Sequence, residues 1–98
     1  MTATLEIAEF DTIADAAEDA VLGAAREAGG FLARQPGFLN RRLAQRPEGG
    51  WLDIVEWTSL EAAEAAARAF PTSPEAASFM GVIARVSRMS HASVRLSG

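Results

Sequence analysis

Two tryptophans and an acid alternate along one short stretch, Trp51, Asp53, Val55 and Trp57 in WLDIVEW. Residues two apart share a face of an extended strand. Two indoles could therefore hold a flat aromatic ring while Asp53 accepts a proton from it. The same residues also allow a plainer arrangement, with Trp57 in the core beneath helices and Asp53 solvated near the strand end. His91 is the one histidine of the chain. An imidazole titrates near neutrality, which suits a base or proton relay, though its place late in the strand fits an exposed or subunit-interface position better. Asn40 and Arg42 share a face of the neighbouring stretch FLNRRLAQ, where they could orient an oxygen atom or stabilise a phenolate. Most of the other arginines read as edge charges that block strand addition.

Composition removes several kinds of chemistry. With no cysteine, there is neither a disulfide nor a thiolate ligand or nucleophile. A lone histidine makes a zinc or haem-iron site a poor fit, so no metal is expected. All nine basic residues are arginines, which excludes Schiff-base chemistry on a lysine. Gly49-Gly50 reads as a turn without the strand–loop–helix setting of a phosphate cradle, and no cofactor is expected. The net charge of −4 argues against nucleic acid and anionic membranes as partners. The opening MTATLEIAEFD has no basic region followed by an apolar one, so a cytoplasmic protein is expected.

The elements that would position these residues follow from periodicity. Thr2–Phe10 alternates Ala3, Leu5 and Ile7 against Thr4 and Glu6, as a half-buried strand does. Thr12 with Asp15 predicts a capping box, and apolar residues from Ile13 to Leu32 recur at helical spacing. Gly29-Gly30 should weaken the end of this helix. Phe38–Gln45 and Trp51–Thr58 are strands joined by the turn Pro47-Glu48-Gly49-Gly50, the second apolar on both faces and so central. Thr58 with Glu61 predicts a cap for the alanine-rich helix Ser59–Phe70, which Pro71 stops. A short helix to Met80 follows, then a long strand over Val82–Leu96. The order is β-α-β-β-α-β, the α+β ferredoxin-like arrangement, and 1–98 reads as a single domain. Right-handed crossovers place both helices on one face. The apolar residues of the other face then predict a homodimer. A final strand of ~15 residues, about 50 Å long, would overhang towards the partner.

Gln35–Ile83 resembles the antibiotic biosynthesis monooxygenase family of dimeric α/β-barrel proteins. The residues that bear the likeness are Pro36-Gly37-Phe38, the block WLDIVEWTSLEAAEAA, and Ser73-Pro74-Glu75 with Phe79. The resemblance implies a ferredoxin-like homodimer and cofactor-free oxygenation of an aromatic or polyketide-like molecule. The family's quinone-forming oxygenases carry an asparagine where this chain has Asp53. The haem-degrading branch uses a histidine in the second helix and an asparagine in the first strand, and this sequence has neither. The leading expectation is thus a cofactor-independent monooxygenase-like protein. Asp53 or His91 would be the base, Trp57 and Trp51 the stacking walls, and Asn40 or Arg42 the polar anchor. A non-catalytic dimeric binding module and a cofactor-free isomerase or cyclase are the alternatives.

Overall fold

The computed structural model describes residues 2–98. The strands are β1 (Thr4–Thr12), β2 (Phe38–Gln45), β3 (Trp51–Trp57) and β4 (Ile83–Ser93). The helices are α1 (Glu18–Ala33), α2 (Leu60–Ala69) and α3 (Ala77–Val82). Two 3-10 turns, Phe70–Thr72 and Pro74–Ala76, join α2 to α3. The sheet order is β2-β3-β1-β4 with every neighbouring pair antiparallel. This is the ferredoxin-like α+β fold that the element order predicts. No helix among the described residues is long and apolar enough to cross a membrane.

Pairing decides which side chains meet the helices. Thr4, Glu6, Ala8 and Phe10 of β1 lie opposite Trp57, Val55, Asp53 and Trp51 of β3, all on the helix-covered face. On the flanking strands Arg41 pairs with Val55, while His91 and Met89 pair with Glu6 and Ala8. The α1 residues Val21, Ala24, Ala28 and Leu32 are buried, as one apolar stripe at helical spacing requires. The core divides in two. One part gathers Phe10, Trp51 and Phe79 against α1, with Phe10 stacked on Trp51 and edge-on to Phe79. The other gathers Phe31, Leu32, Val55 and Trp57 against the α2 alanines Ala63 and Ala66.

Several local expectations need correcting. The alternation in the first strand has its apolar side turned away from the helices, since Leu5 and Ile7 pair with Glu56 and Ile54 on the open face. The buried face of β1 instead presents Thr4 and Glu6. Thr12 does not cap α1, because it is the last residue of β1 and pairs with Ile83. The helix begins at Glu18 behind an uncapped Ala17, with Glu18 and Asp19 in its first turn to offset the positive helix end. Ser59, not Thr58, caps α2 and accepts from the Ala62 N–H at 3.1 Å. Gly37, at φ +87°, holds the turn before β2, where a Cβ would lie 2.6 Å from Thr58 Oγ1. The last strand is shorter than expected. Its 11 residues span about 36 Å and pair with β1 along their length, with bulges beside Phe10 and Thr12. No part of β4 therefore overhangs the sheet.

Candidate active site

A cavity of about 250 Å³ opens between the sheet and the helices. Its floor is Glu6, Ala8 and Phe10 of β1 with Asp53 and Val55 of β3. Leu32, Ala66 and Phe70 form one wall, and Phe79, Met80 and Met89 line the other side, with the two methionines exposed at the mouth. The cavity lies where the two halves of the core meet: Phe10 and Phe79 belong to one half, Leu32, Val55 and Ala66 to the other. A largely apolar chamber with few polar groups is what a small-molecule site requires.

The polar groups form two pairs. Glu6 Oε2 lies 3.1 Å from His91 Nε2, and the Glu6 side chain is only 13% exposed. Burial pushes the Glu6 carboxyl above its ordinary value of 4.5, the His91 hydrogen bond and charge pull it partly back, and nearby Asp53 adds to the rise. A carboxyl whose ionised form is disfavoured by burial, with an imidazole hydrogen-bonded to it, is suited to general base work. The second pair is Asp53 with Arg41, joined in a fork: Nε to Oδ1 at 2.9 Å and Nη2 to Oδ2 at 2.7 Å. The third arm of the guanidinium, Nη1, donates to the α1 carbonyl of Ala25 at 2.6 Å. The guanidinium carbon sits 5.4 Å from the centre of the Phe79 ring. Gly29 makes room for it, since a Cβ there would lie 3.3 Å from Nη1. The glycine pair thus admits side chains beside a helix that continues to Ala33. Gly30 does the same for Glu75, the partner of Arg34.

The structure separates the residues singled out from sequence. Asp53 lines the cavity but gives both oxygens to Arg41, so it anchors that arginine. His91 lies beside Glu6 on β4, an exposed residue outside the cavity lining. Trp57 is fully buried in the core beside α2 and is not a cavity wall, with its indole N–H unpartnered. Trp51 packs on Phe10 and borders a surface groove near the β2–β3 turn instead. Asn40 and Arg42 lie on the opposite, open face with Leu5, Ile54 and Glu56. Both tryptophans are therefore packed in the core, and Asn40 and Arg42 lie outside this cavity. The aromatic walls are Phe10, Phe70 and Phe79. Sequence reasoning missed Glu6 and Arg41. An acid alternating with Thr4 and Ala8 looks like the wet side of a strand, and Arg41 looks like an edge charge. Among the described residues no group of three or more His, Asp or Glu is placed to hold a metal ion.

The Glu6 environment has a measurable consequence. A carboxyl raised in the folded state holds its proton more tightly there than in the unfolded chain, so its ionisation costs stability as pH rises above the ordinary 4.5 and on through the raised value. Below the ordinary value this cost is absent. Glu6→Gln should therefore gain stability relative to the native protein as pH goes from about 4 to 7, read by urea unfolding at each pH. An equal difference at both pH values would contradict the desolvated carboxyl.

No protein-family model and no curated protein matches the sequence. Solved structures do match in fold. SnoaB, a cofactor-independent oxygenase from Streptomyces nogalater, superposes with a TM-score of 0.72 at 18% identity, covering 100% of this chain and 96% of its own. A provisionally assigned antibiotic biosynthesis monooxygenase from Bordetella bronchiseptica gives 0.79 at 16% identity, covering 98% and 100%. A dimeric ferredoxin-like protein from an uncultured marine organism gives 0.65 at 11% identity, covering 100% and 92%. At these identities the likeness is one of fold, and this chain has the ferredoxin-like fold shared by these monooxygenase-type and dimeric proteins.

Proposed function

We propose that the protein is a cofactor-independent monooxygenase acting on a small electron-rich aromatic molecule held in the cavity. The observation that supports this most is the largely buried Glu6 carboxyl, hydrogen-bonded to His91, in the floor of an apolar cavity. In this reading the Glu6–His91 pair takes the proton of a phenolic hydroxyl, and the phenolate ring gives its electrons to O₂. One oxygen atom forms a bond to a ring carbon, and the other leaves as water with two hydrogens from the substrate. The phenol thus becomes a quinone: the substrate supplies four electrons, O₂ takes them up, and no outside reductant is needed. Asp53 and Arg41 hold the Phe79 wall, while the apolar lining excludes water from the reactive ring. The fold likeness to SnoaB, a cofactor-independent oxygenase, agrees with this chemistry.

An oxygen electrode and a panel of hydroxynaphthalenes and hydroquinones test the reading. O₂ consumption above the spontaneous rate is the expected result. Binding without O₂ uptake across the panel would favour a non-catalytic binding module, and isomerised or cyclised product without O₂ uptake a cofactor-free isomerase or cyclase.

The same proposal includes a homodimer closed over the open sheet face. There Leu5, Ile7, Leu52 and Ile54 form an apolar strip that no helix covers, and such a strip calls for a partner surface. Sedimentation equilibrium at micromolar concentration should give twice the 10.4 kDa chain mass. Ile54→Asp should shift the protein to monomer by burying an unpaired charge at the contact. A folded native monomer at that concentration would contradict the dimer.

A further inference from the structure

We propose that Ala8 is the specificity-determining residue of the cavity, restricting it to neutral planar ligands of one or two fused rings. This rests on the reading of the cavity as a ligand site and adds which ligands it takes. Ala8 sits at the centre of the floor, between Glu6 and Phe10 on β1 and in register with Asp53 on one side and Met89 on the other. Every one of those four neighbours is larger, so the methyl of Ala8 is the low point of the floor. Ala66 and Ala67 of α2 also line the cavity. Small residues on the sheet and on a helix leave a slot, with Phe10, Phe70 and Phe79 as its aromatic sides.

Size and charge follow from the same residues. An engineered cavity of about 150 Å³ holds benzene, while pockets for drug-sized ligands begin near 300 Å³. The 250 Å³ here falls between, which suits a naphthalene skeleton, whereas a four-ring one would have to extend past the exposed Met80 and Met89 at the mouth. The charged side chains that line the cavity, Glu6 and Asp53, are both acids. Arg41 neutralises Asp53, and each of its three guanidinium nitrogens already donates to Asp53 or to Ala25, so its charge is largely spent within the protein. A neutral hydroxyl facing Glu6 is favoured over a carboxylate in the same place.

The test is a fluorescence titration of the full chain without O₂, so that binding is read apart from turnover. The probes are 1-naphthol, 1-hydroxypyrene and 1-naphthoate. The native protein should bind 1-naphthol at least tenfold more tightly than either of the others. Ala8→Leu should weaken 1-naphthol at least tenfold, and Ala8→Gly should narrow the gap to 1-hydroxypyrene. If Ala8→Leu does not fold, Ala67→Leu at the helix side of the slot should give the same loss. Equal native affinity for 1-hydroxypyrene or 1-naphthoate would overturn the proposal, as would native-like 1-naphthol binding by folded leucine variants. Selective binding with no O₂ uptake would sink the oxygenase reading and leave the role of Ala8 standing.

Discussion

Asp53→Ala is expected to destabilise the protein by about 3–5 kcal/mol, the usual result of stranding one partner of a buried ion pair. The side chains of Arg41 and Asp53 are only 13% and 10% exposed. Removing the carboxylate leaves a guanidinium with two of its three bonded arms unpaired, between the sheet and α1. A loss of that size is a large fraction of the total stability of a small domain, roughly 5–15 kcal/mol. Replacing both charges with apolar residues, Arg41→Met with Asp53→Leu, should recover most of the loss, because the unpaired charge and not the missing attraction is the main cost. Urea unfolding of the two single variants and the double variant measures this directly. An Asp53→Ala loss below 1 kcal/mol would show Asp53 to be free of structural duty and would return it to the position of a candidate base.

Glu6→Gln has the largest effect expected on activity. The substitution keeps shape and hydrogen-bonding capacity but cannot take up a proton, so turnover should fall about 10²–10⁴-fold, the usual contribution of a positioned base. The loss should appear in kcat, with KM for a neutral phenol changing little, because the aromatic walls that bind the ring are untouched. His91→Asn should cost less, since His91 acts through Glu6 and lies beside it. Steady-state O₂ uptake across the three proteins separates these roles. A Glu6→Gln enzyme that turns over at the native rate would remove the base from the mechanism.

Much of the fold was legible because it rests on periodicity and on a few strong breakers. The β2–β3 hairpin, the end of α2 before Pro71 and the β-α-β-β-α-β order all come from such signals. The open apolar face was legible too, from Leu52 and Ile54 alternating with Val55 and Trp57. Misreadings arose where tertiary pairing overrode a local signal. Thr12 and Asp15 spell a capping box, yet Thr12 is held in the sheet by Ile83. The site was harder to read, because its polar groups depend on which face of each strand meets the helices. Leu5 and Ile7 look like the core side of β1 and Glu6 like the wet side. The outcome is reversed because the register with β3 puts Thr4, Glu6 and Ala8 on the helix face and leaves Leu5 and Ile7 on the open one. Trp57 was conspicuous as a large aromatic beside an acid, but its bulk is used as packing. The less conspicuous Ala8, opposite Asp53, is the residue that leaves room in the floor.

The defining step is the reaction of O₂ with a phenol in this cavity through Glu6. Turnover of a hydroxynaphthalene under ¹⁸O₂, followed by mass spectrometry, tests that most directly. The native protein should place one labelled oxygen in the quinone product and the other in water, and Glu6→Gln should do so only at the spontaneous rate. Unlabelled product from the native protein, or labelled product formed as fast by Glu6→Gln, would contradict it.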